Sequence, residues 1–170
     1  GITAWLDPST GSTTKKTADI LQAYYKLSKK GKLTAHIAAT LVADADAKPQ
    51  PQIDWVKSLQ QKYNQPNLNI LGFKIFADGV IEHPTHTAAL SIPYTGTASK
   101  GVLMYDAEKF KNFVINADKQ NMLVHVHAIG DRAVTKTLDG FEAARKLNPG
   151  SKLPHTITHM QIVLPGDFAR

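Results

Sequence analysis

The stretch VHVHAIGDRA, residues 124–133, decides the fold class of this sequence. Its first half alternates valine with histidine, which is typical of a β-strand with one apolar and one polar face. His125 and His127 then lie on the same face, about 6–7 Å apart along the chain. A short break at Gly130 follows, and Asp131 opens a new segment. Polar side chains at the carboxyl end of a strand are where α/β proteins place their chemistry.

Helical and strand patterns alternate on both sides of this stretch. Apolar residues at helical spacing predict helices over 17–30, 52–63, 106–121 and 131–148, with Thr17 and Asp131 as caps. Pro49 and Pro51 are expected to break the chain before the second helix. Strands are predicted over 32–43, 68–79, 124–129 and 155–163, after a short apolar stretch over 1–7, and a long loop covers 80–105. This order predicts an α/β fold with about five parallel strands and outer helices.

The composition places the 170-residue chain among soluble globular proteins, with 42% hydrophobic and 20% charged residues. Its net charge of +6 comes from lysines in scattered pairs, such as Lys15-Lys16 and Lys29-Lys30, without interleaved aromatic residues, so we expect no nucleic-acid partner. No apolar run approaches the roughly 18–20 residues that span a bilayer, and we expect no membrane partner. The absence of cysteine excludes disulfides and thiolate ligands but leaves the cellular compartment undetermined.

Several polar residues converge on the carboxyl ends of the predicted strands. Lys74 and Asp78 close one strand, His127 closes the next, and His159 lies late in the last. Imidazoles are the usual nitrogen ligands of zinc, so His127 and His159 together predict a metal site. His155 shares a strand face with His159 but lies about 13 Å away along the strand, too far to bind the same ion. The alternative for each histidine alone is a satisfied, half-buried side chain inside a barrel.

Three segments carry a resemblance to a known family. GFKIFADGV, HVHAIGDRAV and HTITHMQ, in that order on successive strands, resemble the amidohydrolase superfamily and, within it, the amidohydrolase-3 group of metal-dependent hydrolases. The resemblance implies a (β/α)₈ barrel of the TIM type, of which this chain would be a part. It also implies hydrolysis of C–N bonds in small, amide-like substrates through a metal-activated water, with one or two divalent ions, zinc being expected.

The resemblance assigns roles to single residues. His127 would be the ligand from the fifth barrel strand, His159 that from the sixth, and Lys74 a fourth-strand lysine carboxylated to bridge two metals. An ordinary lysine paired with Asp78 is the alternative for Lys74. Side chains expected to support these ligands are Asp78, His125 and His155. Asp131 and Arg132 are interpreted as a helix cap and an ion-pair partner. Thr156 and Thr158 replace an arginine and an acid that are common in the family.

Two features of the family are missing from the sequence. The His-x-His motif of the first barrel strand and the catalytic aspartate of the eighth do not occur here, and a complete barrel takes roughly 250 residues. We therefore expect residues 1–170 to be one segment of a catalytic barrel. Alone, it should be inactive, lack stoichiometric zinc and be prone to self-association through its open edges. The alternative is a non-catalytic α/β module with a binding or regulatory role, since some relatives are described as regulators of exoenzyme production.

Overall fold

Five parallel strands form one curled sheet, which the computed structural model describes together with the rest of residues 1–170. The strands pair in chain order: β1 (Ala4–Asp7), β2 (His36–Val42), β3 (Leu68–Phe76), β4 (Leu123–Ala128) and β5 (Thr156–His159). The intervening helices are α1 (Asp19–Lys29), α2 (Pro49–Tyr63), α3 (Ala107–Lys119) and α4 (Asp131–Leu147), and a short 3₁₀ helix (Pro165–Ala169) follows β5. The predicted partial barrel with five sequential parallel strands is confirmed.

The hydrophobic core lies between the outer face of the sheet and the helices. Alternate residues of the central strands are fully buried there, and they meet the apolar faces of α2, α3 and α4. Phe73 of β3, for example, makes an edge contact with Phe113 of α3, with ring centroids 5.0 Å apart. Burial of each large side chain contributes about 1.5–3 kcal/mol, so this layer holds the fold together. None of the helices is both long and apolar enough to cross a membrane.

The inner face of the sheet is concave and more polar. Residues in register across β3, β4 and β5 form layers on this face, because paired residues of parallel strands point the same way. One layer contains Lys74, His125 and Thr156, and the next contains Phe76, His127 and Thr158. The sheet therefore presents its titratable side chains on one surface, near the carboxyl ends of the strands.

Strand β3 reaches this arrangement through a β-bulge. Ala39 of β2 pairs with Ile70. The next β2 residue, Thr40, pairs with Gly72, so Leu71 is an extra residue in β3. Because side chains alternate along a strand, one extra residue exchanges the two faces of everything that follows it.

The bulge decides which way Lys74 points. Before the bulge, Leu68 and Ile70 face the helices, and after it the outward residues are Phe73 and Ile75, all of them buried. Lys74 consequently joins the inner face, in register with His125. Gly72 is suited to this point because a Cβ there would lie 2.2 Å from the carbonyl oxygen of Leu123.

Some predicted element boundaries were wrong. Helix α2 begins at Pro49 rather than at 52, because proline in the first helical turn sacrifices no intrahelical hydrogen bond. Ala18, not Thr17, caps α1, and Gly130 occupies the cap position of α4, which makes Asp131 the first helical residue. The last strand ends at His159, because His159 and Met160 adopt positive φ angles of 79° and 49°.

Candidate metal centre

His127 and His159 lie against each other at the carboxyl ends of β4 and β5. Their ring centroids are 4.7 Å apart, with the rings nearly perpendicular. His127 is buried, whereas His159 is exposed to solvent. The structure thus brings together the two histidines that the sequence selected as ligands, at a separation that one ion, or two neighbouring ions, could bridge.

The backbone at the end of β5 produces this contact. The pairing register places His159 beside Ala128, a residue of the outer face. Simple alternation would then turn the imidazole away from His127. The positive φ angles of His159 and Met160 bend the chain at this point and bring the ring to the inner side. Non-glycine residues in this conformation cost free energy, and such strain is concentrated at functional sites.

A hydrogen bond to the main chain fixes the His127 ring. Its Nε2 lies 2.8 Å from the carbonyl oxygen of Gly79. A carbonyl oxygen only accepts, so Nε2 carries a proton and donates it, and Nδ1 is the nitrogen that a cation would take in the neutral ring. Metal-binding histidines are characteristically held in this way through their second nitrogen.

Lys74 is buried on the inner face and has no carboxylate within ion-pair distance. Its Nζ lies 4.9 Å from the centre of the Phe76 ring. Burial lowers the pKa of the Lys74 ammonium to about 8, so the neutral amine is accessible near neutral pH. The alternative interpretation, a lysine paired with Asp78, was wrong because the Asp78 carboxylate is engaged elsewhere.

Asp78 anchors the main chain around the site. Its two carboxylate oxygens accept hydrogen bonds from the backbone N–H groups of Ala89, Ile129 and Gly130, at 2.8–3.0 Å. One oxygen also lies 3.5 Å from Nε2 of His127. Asp78 therefore touches the buried histidine, as expected of a side chain that supports the ligands, and it also joins the long loop to the turn between β4 and α4, which the sequence did not predict.

His125 is buried beside Lys74, in the layer of the inner face that lies below His127. Its Nδ1 is 2.6 Å from the Thr156 hydroxyl, so the threonine that replaces a common arginine holds this ring. Burial lowers the pKa of His125 to about 4, and the nearby charges of Lys74 and His159 lower it further. His125 is therefore neutral at pH 7. The pKa of His159 is also lowered, by burial and by the charges of His127 and Lys74.

His155 lies away from this site. It was expected to support the ligands, but its ring points toward the helices, where Nε2 donates to Asp118 at 3.0 Å and Nδ1 accepts from the Val124 N–H. It also stacks on Phe141. The face shared with His159 along an ideal strand does not exist here, because the chain bends at His159.

Asp131 and Arg132 shape the adjoining loop. The Asp131 carboxylate accepts from both the backbone N–H and the hydroxyl of Ser91. The guanidinium of Arg132 contacts no carboxylate, so its interpretation as an ion-pair partner was wrong; it reaches the Lys100 and Gly101 carbonyls instead. Both residues tie the 80–105 loop to α4.

The donor set suits a divalent cation only in part. His127 and His159 offer two imidazoles, and Lys74 would add oxygen ligands only after carboxylation. No group of three or more His, Cys, Asp or Glu side chains in the chain is arranged to hold a metal ion. The residues present therefore fit one side of a metal site and do not complete it.

Comparisons with known proteins show the family to which the chain belongs. A family model described as "Amidohydrolase family" matches residues 1–170. The exoenzymes regulatory protein AepA of Pectobacterium carotovorum is 35% identical over 97% of this chain and 33% of its own length. YtcJ of Bacillus subtilis, provisionally named an amidohydrolase, is 34% identical over 61% of this chain and 19% of its own length.

A solved structure shares the fold. The crystal structure of an uncharacterized metal-dependent hydrolase from Pyrococcus horikoshii superimposes with a TM-score of 0.75 over 99% of this chain, at 24% identity. The chain covers 31% of that protein. It thus spans about a third or less of the length of each of these proteins.

Proposed function

The chain belongs to the amidohydrolase family, and from this premise we propose that it forms part of the catalytic barrel of a metal-dependent hydrolase acting on C–N bonds of amide-like substrates. His127 and His159 would hold a divalent cation, zinc being the first choice, and Lys74 would join them as a carbamate. The observation that carries the proposal is the contact between His127 and His159, made through an unfavourable backbone conformation at His159.

The surroundings of Lys74 support its assigned role. A neutral amine can add to CO₂, forming an N–C bond and releasing a proton to give a carbamate anion. An ordinary lysine is almost entirely protonated at pH 7.5, whereas a pKa of about 8 leaves a substantial neutral fraction. The absence of a carboxylate partner also leaves Nζ free to react.

The remaining side chains would orient and insulate this centre. The Gly79 carbonyl oxygen would hold the His127 ring through Nε2, which leaves Nδ1 as the metal-binding nitrogen, and Asp78 fixes both loops that border the ring. Neutral His125 places no competing positive charge beside the cation. The chemistry that a divalent cation supplies at such a site is activation of water for attack on a carbonyl carbon.

Metal titration tests the proposal. We expect Co²⁺ or Zn²⁺ in bicarbonate buffer to bind weakly to the chain, since it supplies an incomplete ligand set. His127→Ala or His159→Ala should weaken binding at least about tenfold, as loss of metal-supporting residues typically does. Co²⁺ absorption bands and calorimetry measure this directly. Amide hydrolysis by the unmodified chain should not exceed that of the His127→Ala variant.

The loop histidines His83 and His86 provide a matched control. Their rings also lie close together, with centroids 5.4 Å apart, but they belong to the loop after β3, where His86 stacks on Tyr94. A His83→Ala, His86→Ala double variant should retain the wild-type metal affinity. Equal loss in this double variant would contradict the proposed site, and zinc retained at one ion per chain would contradict the incomplete ligand set.

A regulatory role is the second candidate. It is favoured by the 35% identity to AepA, a protein named for regulation of exoenzymes, over 97% of this chain. Metal binding that requires His127 and His159 would favour the hydrolase, because a purely regulatory module has no need of either imidazole.

A further inference from the structure

The amino edge of the sheet, opposite the candidate metal centre, carries charge of one sign. In a parallel sheet every helix returns to this edge, so all four connections from a helix to the next strand lie there. These segments (26–35, 60–67, 117–122 and 143–155) hold nine exposed cations, Lys26, Lys29, Lys30, Lys32, Lys62, Lys119, Arg145, Lys146 and Lys152. We call this surface the cationic edge.

The same segments expose no carboxylate. Their single acid is Asp118, which is buried. It accepts hydrogen bonds from Ser151, Asn148 and His155, so its charge is turned inward and is already satisfied. The cationic edge therefore accounts for the net positive charge of the whole chain, which is +6.

Contacts between neighbouring segments make the cationic edge continuous. Ser28 donates to the Asn67 side chain at 2.6 Å, which joins the end of α1 to the end of α2. Lys57 of α2 reaches the Gln120 side chain beyond α3. Asn148, beyond α4, donates to Asp118 at 2.8 Å and closes the series. The nine cations thus lie on one surface rather than on four separate ones.

The helix dipole explains only part of this pattern. It favours cations in the last turn of a helix, and six of the nine lie there: Lys26, Lys29, Lys62, Lys119, Arg145 and Lys146. Lys32 and Lys152 lie beyond the helices, and the dipole gives no reason to exclude acids from the connecting loops. At the opposite edge, where helices begin, exposed acids and lysines are mixed.

Apolar side chains project among the lysines. Leu27, near the end of α1, is 41% exposed, and Leu147, the last residue of α4, is 66% exposed. A nucleic-acid backbone offers phosphates but no partner for leucine. A lipid surface offers both, since lysines meet headgroup phosphates while leucines enter the acyl boundary.

We propose that the cationic edge docks the protein on an anionic lipid surface. The lysines contact the phosphate headgroups, and Leu27 and Leu147 enter the interface. The sequence-based expectation of no membrane partner was drawn from the lack of a spanning segment, which peripheral docking does not require. The cations are scattered along the chain and converge only through the parallel topology.

Vesicle co-sedimentation tests this proposal with the full 170-residue chain. We expect binding to vesicles of mixed phosphatidylcholine and phosphatidylglycerol, no binding to phosphatidylcholine alone, and weakening by added salt. Each basic residue near such a surface strengthens binding roughly fivefold, so Lys29→Gln, Lys30→Gln and Lys32→Gln together should weaken it roughly 100-fold. These side chains are exposed, and circular dichroism checks that the variant is folded.

The matched control removes three charges from the opposite edge: Lys15→Gln, Lys48→Gln and Lys109→Gln. It has the same net charge as the first variant and should bind as the wild type does. Equal weakening of both variants, or no binding to anionic vesicles, would overturn the proposal.

Two further arms separate lipid from other sources of phosphate. Leu27→Ser with Leu147→Ser should weaken vesicle binding and leave binding to duplex DNA unchanged. Tighter binding to DNA than to vesicles at equal phosphate and salt would assign the cationic edge to nucleic acid and overturn the lipid proposal.

Discussion

His155 directly precedes strand β5 and His159 is its last residue, and the surroundings of the two rings are opposite. Both ring nitrogens of His155 are hydrogen-bonded, and its side chain is 3% exposed. His159 is exposed to solvent, makes no side-chain hydrogen bond and sits on a left-handed backbone. His155 therefore contributes to the stability of the fold. His159 instead adopts an unfavourable backbone conformation that leaves its ring available to a ligand.

The two edges of the sheet show the same contrast in their buried aspartates. Asp118, at the amino edge, accepts from the side chains of Ser151, Asn148 and His155. Burial raises the pKa of the Asp118 carboxyl, but these hydrogen bonds outweigh burial and lower it. Asp78, at the carboxyl edge, accepts from backbone N–H groups of two loops. At the amino edge, the buried aspartate is bonded to side chains. At the carboxyl edge, it is bonded to the backbone, which leaves the neighbouring side chains available for a ligand.

The largest expected effect is on stability at the amino edge. Asp118→Ala should lower the free energy of unfolding by about 3–5 kcal/mol, because the buried His155 side chain and the partly buried Ser151 and Asn148 side chains lose this acceptor. Urea denaturation measures the loss. Asp139→Ala is the control, since Asp139 forms partly exposed ion pairs with Lys136 and Arg170 that contribute at most about 1 kcal/mol. Similar losses in the two variants would remove the contrast between the edges.

Acid should act on the carboxyl edge through His125. Its folded pKa of about 4 lies below its ordinary 6.5, so the unfolded chain binds the proton more tightly. The stability is complete above pH 6.5 and is lost as the pH falls toward 4, by about 2–3 kcal/mol from this residue. Buried His155, whose pKa is lowered by burial, adds a loss of the same sign.

Urea denaturation at several pH values tests the acid effect. His125→Gln removes the titrating group, so its free energy of unfolding should fall less steeply between pH 6.5 and 4 than that of the wild type. An unchanged slope in this variant would show that His125 is readily protonated in the folded chain.

The smallest expected effect is the difference in stability between variants of His155, just before β5, and of His159, at its end. His155→Ala should cost about 2 kcal/mol, from two lost hydrogen bonds and the stacking on Phe141. His159→Ala should change stability by less than about 0.5 kcal/mol, because the ring is exposed and unbonded. Thermal unfolding of both variants gives the difference. A larger loss for His159→Ala would assign that ring a structural role.

Much of this fold could be predicted from the sequence because local patterns determine it. Alternating valines over 124–127 and helical spacing over 131–147 correspond directly to β4 and α4. The last strand was predicted to extend to residue 163 because its residues continue to alternate. Alternation indicates a strand only where the backbone φ angles are negative, and they are positive at His159 and Met160. Nothing in HTITHMQ signals the left-handed pair at His159 and Met160.

The residues of the candidate site could be predicted from the sequence, but the hydrogen bonds that hold them could not. Residue type and position late in a strand selected His127 and His159, and the family resemblance added Lys74. Asp78 is bonded to Gly130, Asp131 to Ser91, and His155 to Val124 and Asp118, all across 31–52 residues of chain, so no local pattern reveals these pairs. Long-range hydrogen bonds of this kind depend on the packing of loops, which the sequence encodes only collectively.

The bulge at Leu71–Gly72 has a consequence for how such a site can be gained or lost. Removing a single residue there would restore plain alternation through β3, turning Lys74 toward the helices and Phe73 and Ile75 toward the inner face. No substitution reverses such an inversion, because it concerns every position downstream at once. The set of side chains on the inner face therefore depends on the number of residues at the bulge as much as on their identity. An in-frame insertion or deletion there is the mutation to which the site is most sensitive.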